Sequence, residues 1–143
     1  YLSNEWFDDV YNFHEGFAIV RRGYYLYNFI DKDENYLSKE WFNCVDDFHE
    51  GFAKVRREDR LWNFIDKKGN YLSNEWFKDV YDFHEGFAVV QREDYLYNCI
   101  GTNGKLLSDE WFKYAIHFNK VHADVQRTNG KWAKIDKTGK LHF

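Results

Sequence analysis

Residues 71–105 read YLSNEWFKDVYDFHEGFAVVQREDYLYNCIGTNGK, and residues 1–35 carry the same residue at 23 of those 35 positions. Trp6, Trp41, Trp76 and Trp111 follow one another at intervals of 35, and the rest of the chain keeps their phase. Self-similarity at a fixed period of this length is the signature of a repeat architecture. The copies are 1–35, 36–70, 71–105 and 106–140. Leu141-His142-Phe143 opens a fifth, and 1–143 is read as one repeat domain.

Each copy holds Leu-Ser-x-Glu-Trp-Phe, as in Leu2 to Phe7, and a Phe seven residues after the Trp. Three copies continue with His-Glu-Gly-Phe-Ala, as in His14 to Ala18. All four then hold Ala-x-Val-x-Arg. Ala18, Val20 and Arg22 recur at alternate positions. The residue between Ala and Val changes among Ile19, Lys54, Val89 and Asp124, so a strand is expected from Phe17 to Arg22 with position 19 facing outward. A short polar break follows, Glu58-Asp59, Glu93-Asp94 or Asn129-Gly130, and Asn-Gly signals a tight hairpin turn. Leu61 to Asp66 reads as the second strand. Asp66-Lys67-Lys68-Gly69 reads as a three-residue hairpin with a bulge, Asn35 taking the Gly place in the first copy. Tyr36-Leu37-Ser38 is the expected third strand. The connector Asn4 to Gly16 fits either an extended course or one helical turn carrying Trp6, Val10 and Phe13.

The expected fold is all-β: four three-stranded antiparallel meanders stacked in an open solenoid or superhelix. A small β-propeller is the alternative, disfavoured by the short repeat and its three strands. A 35-residue meander cannot bury enough apolar surface alone, so the aromatic positions are expected to form one core across copies. Those positions are Trp6, Phe7, Phe13 and Ile30; Trp41, Phe42, Phe48 and Ile65; Trp76, Phe77, Phe83 and Ile100; and Trp111, Phe112, Phe118 and Ile135.

The order Phe-x-Glu-Gly-Phe-Ala-x-Val, a turn, [Tyr/Trp]-Asn-Phe-Ile-Asp, then Lys-x-Gly resembles the WG-repeat family of bacteria across the whole chain. Gly130-Lys131-Trp132-Ala133-Lys134-Ile135-Asp136 is the nearest match to that family's Gly-Lys-Trp-Gly-Tyr-Ile-Asp strand. Ala133 and Asn63 stand where the family has Gly, and Tyr27 and Tyr97 stand where it has Trp, so the Trp-Gly pair itself is absent. The resemblance implies a β-rich tandem module of bacterial proteins and does not imply a catalytic residue set or a known ligand; no cofactor is expected.

The net charge of −4 argues against a nucleic-acid partner. No apolar run reaches the ~18 residues of a membrane helix, so no membrane insertion is expected. The chain has no Met and is expected to be a fragment or a processed form, its natural start not visible. Cys44 and Cys99 fall at different points of the repeat and are read as unpaired thiols of a reducing compartment, with a weak preference for a bacterial cytoplasm.

His14, His49 and His84 each precede a Glu. One His-Glu pair per repeat, with repeats about three strand spacings apart, supplies too few ligands for a metal. Ser3, Ser38, Ser73 and Ser108 lack an adjacent base and are read as strand-end or turn caps. No enzymatic activity is expected. Glu5, Glu40, Glu75 and Glu110 recur with Arg22, Arg57, Arg92 and Arg127, and are read as a Glu–Arg ladder between neighbouring repeats rather than an anion-binding row. The fourth copy, with Asn119-Lys120-Val121-His122 in place of His-Glu-Gly-Phe, is divergent and basic and is read as a cap.

The leading expectation for function is a protein-interaction scaffold whose surface includes Tyr24, Tyr25, Lys54, Arg60, Asp94 and Tyr95. The alternatives are a glycan-binding or cell-surface module, and a structural spacer or assembly subunit. Head-to-tail pairing of the basic last copy with the acidic first copy is a further option for self-association.

Overall fold

A computed structural model of the chain describes residues 6–143. The chain is all-β, with no helix among the described residues. It divides into two compact units, Tyr1–Tyr71 and Leu72–Phe143.

The first unit holds two antiparallel sheets. One is β1 (Asp9–His14), β2 (Phe17–Arg22) and β3 (Leu26–Ile30), and the other is β4 (Cys44–Val45), β5 (Phe52–Arg56) and β6 (Trp62–Asp66). The second unit repeats the plan with β7 (Asp79–Val80), β8 (Phe87–Gln91) and β9 (Tyr97–Gly101). Its other sheet has four strands, β10 (Tyr114–Ala115), β11 (His122–Gln126), β12 (Trp132–Asp136) and β13 (Leu141–His142).

The meander is three-stranded, but its strands are shifted relative to the sequence reading. The connector supplies the first strand, Val45 pairing with Val55 and Ala115 with Val125, and no helical turn forms. The expected third strand is reduced to a single bridge, Ile30 to Tyr36 or Ile65 to Tyr71. It reaches two residues only at β13. The reason lies in what Phe42 does. Its N–H and C=O exchange hydrogen bonds of 2.8 and 2.9 Å with Tyr27, so the chain must leave the Tyr36 bridge and cross the end of the preceding sheet. Phe112 does the same to Tyr97.

In the first and third copies position 19 does not face solvent. Ile19 and Val89 are buried, because the second face of each such sheet receives a Phe from the next copy. Phe48 stacks on Phe17 at 5.0 Å and meets Phe29 edge-on at 5.2 Å. Phe118 stacks on Phe87 at 4.7 Å, in a core that also holds Val89 and Cys99. Lys54 sits at the same position by laying its stem along the sheet and pairing its ammonium with Asp46 at 3.3 Å.

Phe42, Phe77, Phe83, Phe112 and the four Ile of the expected core are buried as well, and Phe7, Trp41, Trp76 and Trp111 are half-buried. Trp6 and Phe13 depart from that expectation, 66% and 51% exposed. Phe48 and Phe118, at the place of Phe13, are each covered by the copy before them within their own unit, and among the described residues no such copy stands before β1.

The turns also differ in detail. The hairpin at Asn129-Gly130 is a three-residue loop: Gly130 N–H donates to Arg127 O at 2.8 Å, and of the pair only Gly130 is left-handed. At Asp31 the left-handed residue is Glu34 (φ 66°), not Asn35. Glu34 aligns with Gly69, where a Cβ would stand 2.5 Å from the Leu37 carbonyl oxygen. Gly69 is thus required both by its φ and by the Leu37 backbone of its own copy.

Burial of the inter-copy Phe sets the expected energetics. Phe118→Ala should cost about 3–5 kcal/mol in urea unfolding, as a large core truncation does. Phe13→Ala, at the equivalent but exposed position, should cost less than about 1 kcal/mol.

Candidate binding surface

In the second and third copies the hairpin between the second and third strands is built by one short sequence. In Arg57-Glu58-Asp59-Arg60-Leu61, Arg60 N–H donates to Arg57 O at 2.9 Å and the Asp59 carboxylate accepts from Leu61 N–H at 3.1 Å. Asp59 also binds the Arg57 guanidinium at 2.8 Å. Arg92 to Leu96 repeats this arrangement with Asp94. The arginine hydrogen bond holds the Asp94 carboxyl below its ordinary range, reinforced by the Leu96 N–H. For Asp59, partial burial pushes upward, but the Leu61 N–H and Arg57 outweigh it and the net shift is down.

This geometry places Arg60 (φ 69°) and Tyr95 (φ 70°) in the left-handed region, where the fourth copy has Gly130. A non-glycine residue there costs roughly 1 kcal/mol. The side chain is thrown outward, and Tyr95 is 64% exposed. In the first copy Gly23 takes the left-handed place and its N–H donates to Asp8 at 2.6 Å, leaving Tyr24 and Tyr25 84% and 68% exposed with ring centroids 6.4 Å apart. Lys78 lies 4.9 Å from the Tyr95 ring.

Of the six sequence-selected surface residues, Tyr24, Tyr25, Arg60, Asp94 and Tyr95 sit at hairpin tips. Lys54 does not. It lies mid-strand in β5, half-buried, with its ammonium engaged. In the first unit the tips of two successive copies border an open groove of about 510 Å³, lined by Tyr25, Leu26, Trp41, Phe42, Glu40 and Arg57 among others.

Two of the recurring arginines reach a tryptophan of the next copy. Arg22 lies 5.0 Å from the Trp41 ring and Arg92 4.2 Å from Trp111, each bridging to the next copy by a cation–π contact. An Arg–Glu pair is present at Arg127 and Glu110, 2.7 Å apart, but within one copy. Thr128-Asn129 replaces Glu58-Asp59 there, so Arg127 has no Asp two residues on and turns to Glu110.

The His-Glu-Gly stretch is a two-residue hairpin turn, with Glu50 at φ 51° and Gly51 at φ 89°, and Glu15 and Gly16 alike. Glu15 reaches from its own turn to the next, accepting from Glu50 and Gly51 N–H at 2.9 Å each and pairing with Lys67 at 3.2 Å. His14 lies 3.5 Å from Asp47, and His84 stacks on His117 at 4.3 Å. Ser38, Ser73 and Ser108 each accept from the N–H two residues on, at 3.0 Å. Cys44 and Cys99 carry free thiols, and burial pushes the Cys99 thiol up to about 12.

Sequence reasoning passed over Asn28, Asn63 and Asn98, which are fully buried. Asn98 donates to Ser108 O at 2.8 Å and accepts from Cys99 N–H at 2.8 Å, tying its strand to the next copy. The signal was an amide repeated three times inside an apolar strand.

Residues 7–25 and 62–97 match the WG containing repeat family. Two of the buried amides, Asn28 and Asn63, stand in strands β3 and β6 at the place of that repeat's glycine, and Ala133 does so in β12. A search of curated proteins found no match. Among solved structures the chain is similar to the computationally designed Ika8 protein (13% identity, TM-score 0.48, covering 93% of this chain and 48% of that one). It is similar to the designed Ika4 protein (11%, TM-score 0.48, 93% and 92%) and to the WD40 β-propeller domain of Doa1 (12%, TM-score 0.46, 97% and 54%). The chain thus spans about half the length of the Ika8 and Doa1 chains it matches.

Glu15 provides a test of the inter-copy link. Burial pushes its carboxyl up, but the Gly51 N–H, Lys67 and the Glu50 N–H outweigh this and hold it below the ordinary 4.5. A depressed folded value contributes stability that is present above about pH 4.5 and is lost as pH falls through that value. Glu15→Gln should therefore lower the urea midpoint at pH 7, and the gap between variant and parent should narrow as pH falls below about 4.5.

Proposed function

We propose that the chain is a non-catalytic repeat module that acts as a protein-interaction scaffold, with the hairpin tips as its contact surface. The observation that carries this reading is the set of exposed tyrosines, Tyr24, Tyr25 and Tyr95, on tips whose backbone is fixed by side-chain and main-chain hydrogen bonds. Tyrosine offers a large amphipathic surface with few rotatable bonds, and a rigid tip adds little ordering cost on binding. Tyr95 holding a left-handed conformation that glycine would adopt more easily is local strain at an exposed position, which favours a role for the side chain outside the fold. The recurrent serines, by contrast, cap backbone amides, an arrangement that suits turn formation rather than nucleophilic chemistry.

A second reading is supported by the fourth copy. Trp132 and Phe143 are exposed and border a groove of about 410 Å³ with Asp124, Lys134 and His142. Aromatic faces beside charged and polar groups suit a glycan.

The two readings separate by capture from a lysate of the source organism with the intact chain, with Tyr25→Ala/Tyr95→Ala and with Trp132→Ala. A protein retained by the parent and reduced at least tenfold by the tyrosine pair supports the scaffold. Retention unaffected by the tyrosine pair, or glycan binding lost in Trp132→Ala, rejects the tips as the contact surface.

A further inference from the structure

Residues 10–18 and 80–88 differ only in Asn12 against Asp82 and, outside that stretch, share nearly all their neighbours in sequence, yet they fold differently. In the third copy the strand stops at Val80 and Phe83 turns into the core, with Val80 and Phe83 both buried. In the first copy the strand runs on to His14 through a bulge between Val10 and Phe13, pairing Phe13 with Ala18. Val10 is then 58% exposed and Phe13 51%. Sequence does not explain the difference. The surroundings do, since Phe48 and Phe118 are seated by the copy that precedes each of them.

We infer that this side of the first sheet is a docking face for one further repeat of the same consensus in the same polypeptide, joined directly before Tyr1, and that β1 shortens to two residues when that repeat docks. The face continues the copy-to-copy interface already present in the chain, and three features specify its occupant. Phe13 needs an aromatic pair equivalent to Phe17 and Phe29, which seat Phe48. Trp6 needs an arginine equivalent to Arg22, which lies over Trp41. The Glu15–Gly16 turn has the same left-handed pair as Glu50–Gly51, whose N–H groups take the Glu15 carboxylate, and so fits a glutamate equivalent to Glu15. The direct joint follows from Asn35–Tyr36, where one copy passes into the next and Tyr36 bridges Ile30 with no linker. A second copy of this chain fits less well. The opposite charges of the first and fourth repeats favour such pairing, but the fourth presents His122 and Lys134 where the aromatic pair belongs, and Lys134 is tied to Asp124 at 2.7 Å.

The test uses the full chain with Cys44→Ser and a Val10→Cys reporter, with and without residues 1–35 repeated in register ahead of Tyr1. Extension should slow labelling of the reporter at least tenfold, and changing the added copy's counterparts of Phe17 and Phe29 to Ala should restore the fast rate. If that extension does not unfold cooperatively, an extension with residues 36–70 (their own Cys44 also Ser) serves in its place. Unchanged labelling in a cooperatively folded extended chain overturns the inference, as does failure of both extensions to fold cooperatively. Protection of the unextended chain that rises with protein concentration also overturns it, because the occupant is then a second copy.

Discussion

Within each of the two units, one phenylalanine seats the second copy on the first. Phe48 is seated against Phe17 and Phe29, and Phe118 against Phe87 beside Cys99, so each fills the face of the sheet before it. Burying such a ring is worth roughly 1.5–3 kcal/mol, which no single meander of this size obtains from its own residues. Everything around the ring serves its placement. The Phe42 and Phe112 bridges bring the chain across the end of the preceding sheet, Arg22 and Arg92 lie over the next copy's tryptophan, and Glu15 joins one turn to the next. Stability is therefore a property of neighbouring copies rather than of any one of them.

The period, the all-β class and the second and third strands were legible because they rest on recurrence and on alternation along Phe17 to Arg22 and Leu61 to Asp66. The first strand was not, because Cys44-Val45 and Asp79-Val80 are too short to show a pattern. Position 19 misled for a physical reason. Its variation among Ile, Lys, Val and Asp looked like solvent exposure, yet the face is covered in the first and third copies, Lys54 lies half-buried with its ammonium on Asp46, and Asp124 stays partly open to solvent. Exposure of Phe13 was illegible in the sequence, since its sequence surroundings match those of buried Phe83.

The same division of labour shapes the surface. Consensus aromatics turn inward or to the copy interfaces, while the hairpin tips vary: Glu58-Asp59-Arg60 and Glu93-Asp94-Tyr95 share one backbone, and Gly23-Tyr24-Tyr25 takes another whose left-handed residue is Gly23. Five of the six candidate contact residues could be found by asking where copies differ. Lys54 could not be excluded that way, because variability marks positions free of consensus and not positions in contact with water. The buried amides Asn28, Asn63 and Asn98 show the converse, a polar residue conserved among copies because it closes hydrogen bonds inside the fold.

Amide hydrogen exchange at the copy-to-copy bridges tests the central claim most directly. If seating one copy on the next is part of the cooperative fold, the Phe112 and Tyr97 amides exchange as slowly as those of Val89 and Val90 in the central strand β8, all at the rate of global unfolding. Exchange of Phe112 and Tyr97 at the rate of an exposed loop, while β8 stays protected, would show that each sheet stands alone and would contradict it.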